Sequence, residues 1–140
     1  MITQTACTIF KTNLLKGDED FNTGTAYTYK IALYTADASL DDTTTAYSAT
    51  NEVSGTGYTA GGNTLTPVAP TSSGTTAYVS FANTSWSSAS FTTRGALIYN
   101  STTGAAVCVL NFGSDKTCSN QTFTVTFPTA DANSAVLRIS

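Results

Sequence analysis

Tyr27-Thr28-Tyr29-Lys30-Ile31-Ala32-Leu33-Tyr34-Thr35 is the stretch that turns this chain towards β structure. β-Branched and aromatic residues recur along it with enough alternation for a strand, and Tyr is a favoured residue on a pleated surface. The whole composition repeats the message. The 140 residues include 29 Thr and 15 Ser, while charged residues make up only 11 %. Soluble domains usually carry about 25 % charged residues, so hydroxyls replace charge here. Thr is stiff at χ1 and packs well on a half-buried sheet.

Further strands are predicted at 63–68, 75–81, 90–92, 96–99, 105–112, 122–127 and 135–139. Turn residues separate them: Pro70 with Ser72-Ser73-Gly74, Asn100 to Gly104, Gly113-Ser114-Asp115-Lys116, and Pro128 to Asn133. Val107, Val109 and Leu110 suggest a central strand. Trp86 falls between two of the strands, as a core or corner anchor. Strands of this length and spacing predict an all-β fold, an antiparallel β-sandwich of jelly-roll-like form. A single domain over 1–140 is expected, with no internal repeat and no second boundary.

Two segments depart from that pattern. Cys7, Phe10 and Leu14, with Leu15 beside them, form a helical stripe from about Thr5 to Lys16. Thr5 or Thr3 is a candidate cap, and Lys16-Gly17 suits the C-terminal end. Residues 1–17 are therefore read as one short N-terminal helical segment. The second departure is a long polar passage from Leu40 to Asn63, containing Gly55, Gly57, Gly61 and Gly62. A helical turn near Thr44 to Tyr47 would break it up. Passages this long are usually functional or wrongly assigned.

Charge and residue inventory exclude several functions. Six Lys and Arg against nine Asp and Glu leave a net charge of −3, too little cation for a phosphate-binding surface. No nucleic-acid partner is expected. There is no histidine, which removes His-dependent triads and the commonest metal ligand. No apolar run approaches the ~20 residues of a membrane-spanning helix. Met1-Ile2-Thr3-Gln4-Thr5 lacks the basic start and apolar stretch of a signal peptide, so synthesis in a cytoplasm is expected. The three cysteines, Cys7, Cys108 and Cys118, leave two readings open: a Cys108–Cys118 bridge, or three free thiols in a reducing compartment.

Carboxylate chemistry has candidates in Asp41 with Asp42 and in Glu52 with Asp115, but no flanking motif singles out either pair. Asp18-Glu19-Asp20 lacks the alternating ligands, central Gly and distal Glu of an EF-hand loop. The sequons at Asn83, Asn100 and Asn120 match the number chance expects in so hydroxyl-rich a chain. Tyr27, Tyr29, Tyr34 and Trp86 offer sugar-stacking surface or, on the plainer reading, strand and core positions. No catalytic residue, metal or cofactor is assigned, and an enzyme is not expected.

Several phrases together resemble a known family. They are Lys30-Ile31-Ala32-Leu33-Tyr34, Thr44-Thr45-Ala46-Tyr47, Arg94-Gly95-Ala96-Leu97-Ile98-Tyr99-Asn100 and, most specific, Asn51-Glu52-Val53-Ser54-Gly55-Thr56-Gly57-Tyr58-Thr59-Ala60-Gly61-Gly62. Trp86, Phe112-Gly113 and Phe127-Pro128-Thr129-Ala130 fit as well. Over roughly Phe10 to Ile139 the chain resembles small structural proteins encoded by tailed bacteriophages and prophages, similar in size and composition to capsid cement (decoration) proteins. The resemblance implies a virion component made in the bacterial cytoplasm, with the major capsid protein and itself, as dimer or trimer, for partners. The alternative is a tail fibre or adhesin component that binds a receptor or glycan. The loop 40–63 and the N-terminal segment are the expected reaching parts. Ile9, Phe10, Leu14 and Leu15 are the candidate interface, with two readings open: an intersubunit or capsid contact, or a stripe that covers one face of the domain.

Overall fold

The computed structural model describes residues 1–22, 24 and 27–140. Among them the chain is mostly β, with one short helix. In order the elements are β1 (Thr5–Ala6), α1 (Thr8–Lys16), β2 (Tyr29–Tyr34), β3 (Asn63–Thr64), β4 (Pro67–Ser73), β5 (Thr76–Phe81), β6 (Thr84–Asn100), β7 (Ala106–Val125) and β8 (Leu137–Ile139). They form two open antiparallel sheets, one of five strands in the order β1-β7-β6-β2-β3 and one of three in the order β4-β5-β8.

Several predicted boundaries move. The helix begins at Thr8, because Thr5 and Ala6 pair with Val109 and Cys108 as a short strand. Cys7 is the N-cap residue and supplies no side-chain hydrogen bond, so neither Thr3 nor Thr5 caps. The C-terminal end is as expected: Gly17 is left-handed and its N–H reaches the Leu14 carbonyl. No helical turn forms at 44–47, where Ala46 instead bridges to Ala105.

The predicted strands 90–92 and 96–99 are one strand, β6, and 105–112 and 122–127 are one strand, β7. Trp86 thus lies within β6, not between strands. The expected turn at 113–116 is an irregularity inside β7. Thr93 stands opposite Lys116 but Gly95 opposite Asn111, so four residues of β7 face Arg94 alone. Such excess residues bend a hairpin. The Arg94 guanidinium donates to Asp115 at 2.8 Å across this corner.

Around β2 the five-stranded sheet is covered on both faces, which explains why Tyr29 and all of Ile31 to Tyr34 are buried instead of alternating. On one face Tyr29 stacks on Phe21 at 4.5 Å, and Phe21 meets Phe10 and Phe81, each at 5.9 Å. That face therefore packs on α1 and the three-stranded sheet. On the other face the Tyr34 hydroxyl donates to the Ser48 carbonyl, and Tyr99 stacks on Tyr47 at 4.8 Å. The long polar passage is the second cover.

Candidate interaction surface

The four predicted interface residues on α1 divide by helical position. Phe10 is buried against Phe21 and belongs to the core. Ile9 and Leu14 are partly buried and pack against that core. Leu15 is 90 % exposed. Phe10 thus covers the core from α1, while Leu15 faces outward.

Beside that end lies an apolar groove of about 510 Å³ between α1 and the β4-β5-β8 sheet. Phe10, Leu14 and Leu15 form one wall; Pro70, Ala77, Val79, Leu137 and Ile139 form the other. Ile139 is 60 % exposed, and Val68, also exposed, lies on β4 near Pro70. Exposed large apolar side chains are few on this hydroxyl-rich surface: Met1, Leu15, Val68 and Ile139 among the described residues. Two of the four flank one groove. Sequence reasoning missed Val68 and Ile139. The alternation of Leu137-Arg138-Ile139 was the available signal for a strand with one solvent face, but nothing local says that α1 lies beside it.

The glycine-rich passage is held against the sheet by backbone hydrogen bonds. Val53 N–H donates to the Leu33 carbonyl and Thr35 N–H to the Asn51 carbonyl, so the passage runs along the edge of β2 beyond the short β3. Covering an edge in this way blunts unwanted pairing. Gly57 has φ +82, and a β-carbon on it would meet the Ala89 Cα at 2.9 Å; at Gly62 a β-carbon would overlap the Ile31 carbonyl. Glu52 ties the passage together. Its carboxylate accepts from Tyr47 and Tyr58 hydroxyls, each at 2.6 Å, and from Gly61 N–H at 2.7 Å. Burial, then the bond to Glu52, pushes the Tyr58 and Tyr47 hydroxyls above the usual tyrosine range. The N-terminus is also fixed: Met1 donates to the Ala38 carbonyl, and Ile2 bridges to Leu40.

The other sequence candidates are dispersed. Glu52 is engaged as described, whereas Asp115 pairs with Arg94 at the β6–β7 corner. Asp41 accepts from the Thr43 N–H and hydroxyl, which hold its carboxyl below the usual range. The acids at 18–20 diverge: Glu19 turns inward to accept from Tyr29 at 2.8 Å, while Asp20 accepts from Asn22. Burial raises the Glu19 pKa against the hydrogen bonds of Tyr29, Asn100 and Asn13, and the charge of Asp18 adds to the rise. Glu19 Oε1 and Asn100 Nδ2 nonetheless lack a partner of full hydrogen-bond geometry among the described residues.

All three cysteines are free and buried. Cys108 faces Ile98 and Cys118 faces Phe91, on opposite sides of the corner, so the bridged reading is not realised. Burial pushes the Cys7 thiol up to about 11, with Asp41 and Asp42 adding, and the Cys108 thiol up to about 12. These are weak nucleophiles. Trp86 is buried among Tyr58, Phe91 and Phe123, and Tyr29 and Tyr34 are buried too, so none offers a face to a sugar. Asn100 is wholly buried and closed to glycosylation.

One further cleft, of about 610 Å³, is lined by Lys30, Tyr47, Tyr99, Thr45, Ser101 and Thr103, with Ile9 and Asn13 of α1 at its side. No helix is long and apolar enough to cross a membrane among the described residues. No family model, curated protein or solved structure matches this chain.

Proposed function

We propose that this chain is a non-enzymatic structural component of a bacteriophage virion, a capsid cement (decoration) protein that stabilises the head by clamping capsomers. The observation that carries the reading is the apolar face around Leu15 and Ile139, set on a scaffold whose N-terminus and long 40–63 passage are tied down. Cement action needs a rigid body, an adhesive face and little affinity for DNA. A ligand that binds only the assembled shell stabilises it by mass action. A net charge of −3 keeps phosphate attraction low.

The same reading takes the two sheets as a jelly-roll-like sandwich. Three stretches pass from one sheet to the other, β3 to β4 through Leu65-Thr66, β5 to β6 through Ala82-Asn83 and β7 to β8 through 126–136, and the first two stay joined where Ala82 N–H donates to the Thr66 carbonyl. Strands that change sheets at a bend are typical of sandwich corners.

The test is a comparison of particles with and without this protein under heat and salt shock. Decorated heads should retain their DNA under conditions that open depleted ones. Equal survival refutes the cement role. The tail-adhesin reading draws on the cleft at Lys30, Tyr47 and Tyr99, where hydroxyls and a cation line an open wall. Glycan binding lost in Lys30→Gln, together with equal particle survival, would favour it.

A further inference from the structure

We propose that the groove between α1 and the three-stranded sheet is filled by a second copy of this chain, in a two-fold dimer where each Leu15 enters the other's groove. This rests on the adhesive face of the proposed function and names its occupant. Knob and hole lie on the same face: Leu15, 90 % exposed, stands on the wall of the groove that continues past Ala77 and Leu137 to Ile139. A two-fold axis uses one patch twice, so a patch that carries both parts is self-complementary.

The rim charges argue for the same partner. Lys11, Arg138 and Asp20 line the groove, with Glu19 turned inward to Tyr29, and none of them forms an ion pair; the one ion pair among the described residues joins Arg94 and Asp115. A rim that carries both signs can match itself when rotated about a two-fold axis, a cation of one copy meeting Asp20 of the other. A uniformly charged capsid surface would satisfy one sign and oppose the other. With a net charge of only −3, two copies repel each other weakly.

Sedimentation equilibrium of the full chain tests this, with Leu15→Asp and Ile139→Asp as two independent variants and thermal melting as the control on folding. Both side chains are exposed, so neither change should unfold the monomer, and any fall in melting temperature should vanish on dilution to where the parent is monomeric too. The wild type should be a dimer at micromolar concentration. Each variant should raise the dimer Kd by about thirtyfold or more, the effect of losing a central interface residue. Lys11→Glu should also weaken the dimer, and added salt should shrink that difference. A wild type that stays monomeric, a trimer, or variants that associate as well as the parent would each overturn the proposal. The two readings separate cleanly. A monomer in solution that still occupies heads contradicts self-pairing and leaves the virion reading standing, whereas a groove-dependent dimer absent from heads does the reverse.

Discussion

Gly62 lies on the backbone of Ile31 so closely that a β-carbon would overlap the Ile31 carbonyl oxygen. The contact fixes the end of the glycine-rich passage against a central strand of the five-stranded sheet. It also explains a phrase that composition alone leaves looking like a loose loop. Gly62→Ala should therefore cost about 3 kcal/mol or more, since overpacking is added to a strained positive φ. Gly74, with positive φ but open space around it, is the control, and its change to Ala should cost about 1 kcal/mol. Urea unfolding of both variants measures the difference.

Glu52 should prove as important to the passage as the glycines. In Glu52→Ala the Tyr47 and Tyr58 hydroxyls and the Gly61 N–H lose their acceptor. Each buried donor left unpaired costs about 1–3 kcal/mol. Amide exchange should accelerate through residues 52–62 before it does in β6. Uniform acceleration over the whole chain would show that the passage has no separate stability.

The helix makes a sharper contrast. Phe10→Ala removes a ring from the core and should cost about 3–5 kcal/mol. Leu15→Ala removes a side chain that is 90 % exposed and should change monomer stability by less than about 0.5 kcal/mol. Equal losses in thermal melts would mean that the end of α1 is buried in the monomer.

Glu19 predicts a pH dependence of definite sign. Its carboxyl is raised from the ordinary value of 4.5 chiefly by burial, so the folded state holds this proton more tightly than the unfolded state does. Its contribution to stability accordingly falls as pH rises from that ordinary value through the raised one, and is level above it. Glu19→Gln should remove this slope, so the variant should gain on the parent as pH rises through the window. A difference between the two that does not vary with pH from 4 to 8, or about that range, would contradict the assignment.

Much of the fold was legible because its signals are local. Hydroxyl and β-branched residues, turn residues and the stripe Cys7-Phe10-Leu14 suffice for β structure with one short helix. The β6–β7 corner was not legible. Gly113 to Lys116 reads as a turn in any local window, and only the pairing of Thr93 with Lys116 and of Gly95 with Asn111 makes it a bend within a strand. The candidate surface was half visible. Leu14 and Leu15 could be named from the helix, but Ile139 is distant in sequence and joins them only through the pairing of β8 with β5. Phe10 looked equivalent to Leu15 because periodicity marks a face without saying which end of it is covered.

The central claim is that the chain is a cement component of the phage head. Its most direct test is to separate heads from tails of intact particles and measure this chain in each fraction by mass spectrometry. Recovery with the heads, at a fixed ratio to the major capsid protein, is the predicted result. Recovery with the tails, or in neither fraction, contradicts it.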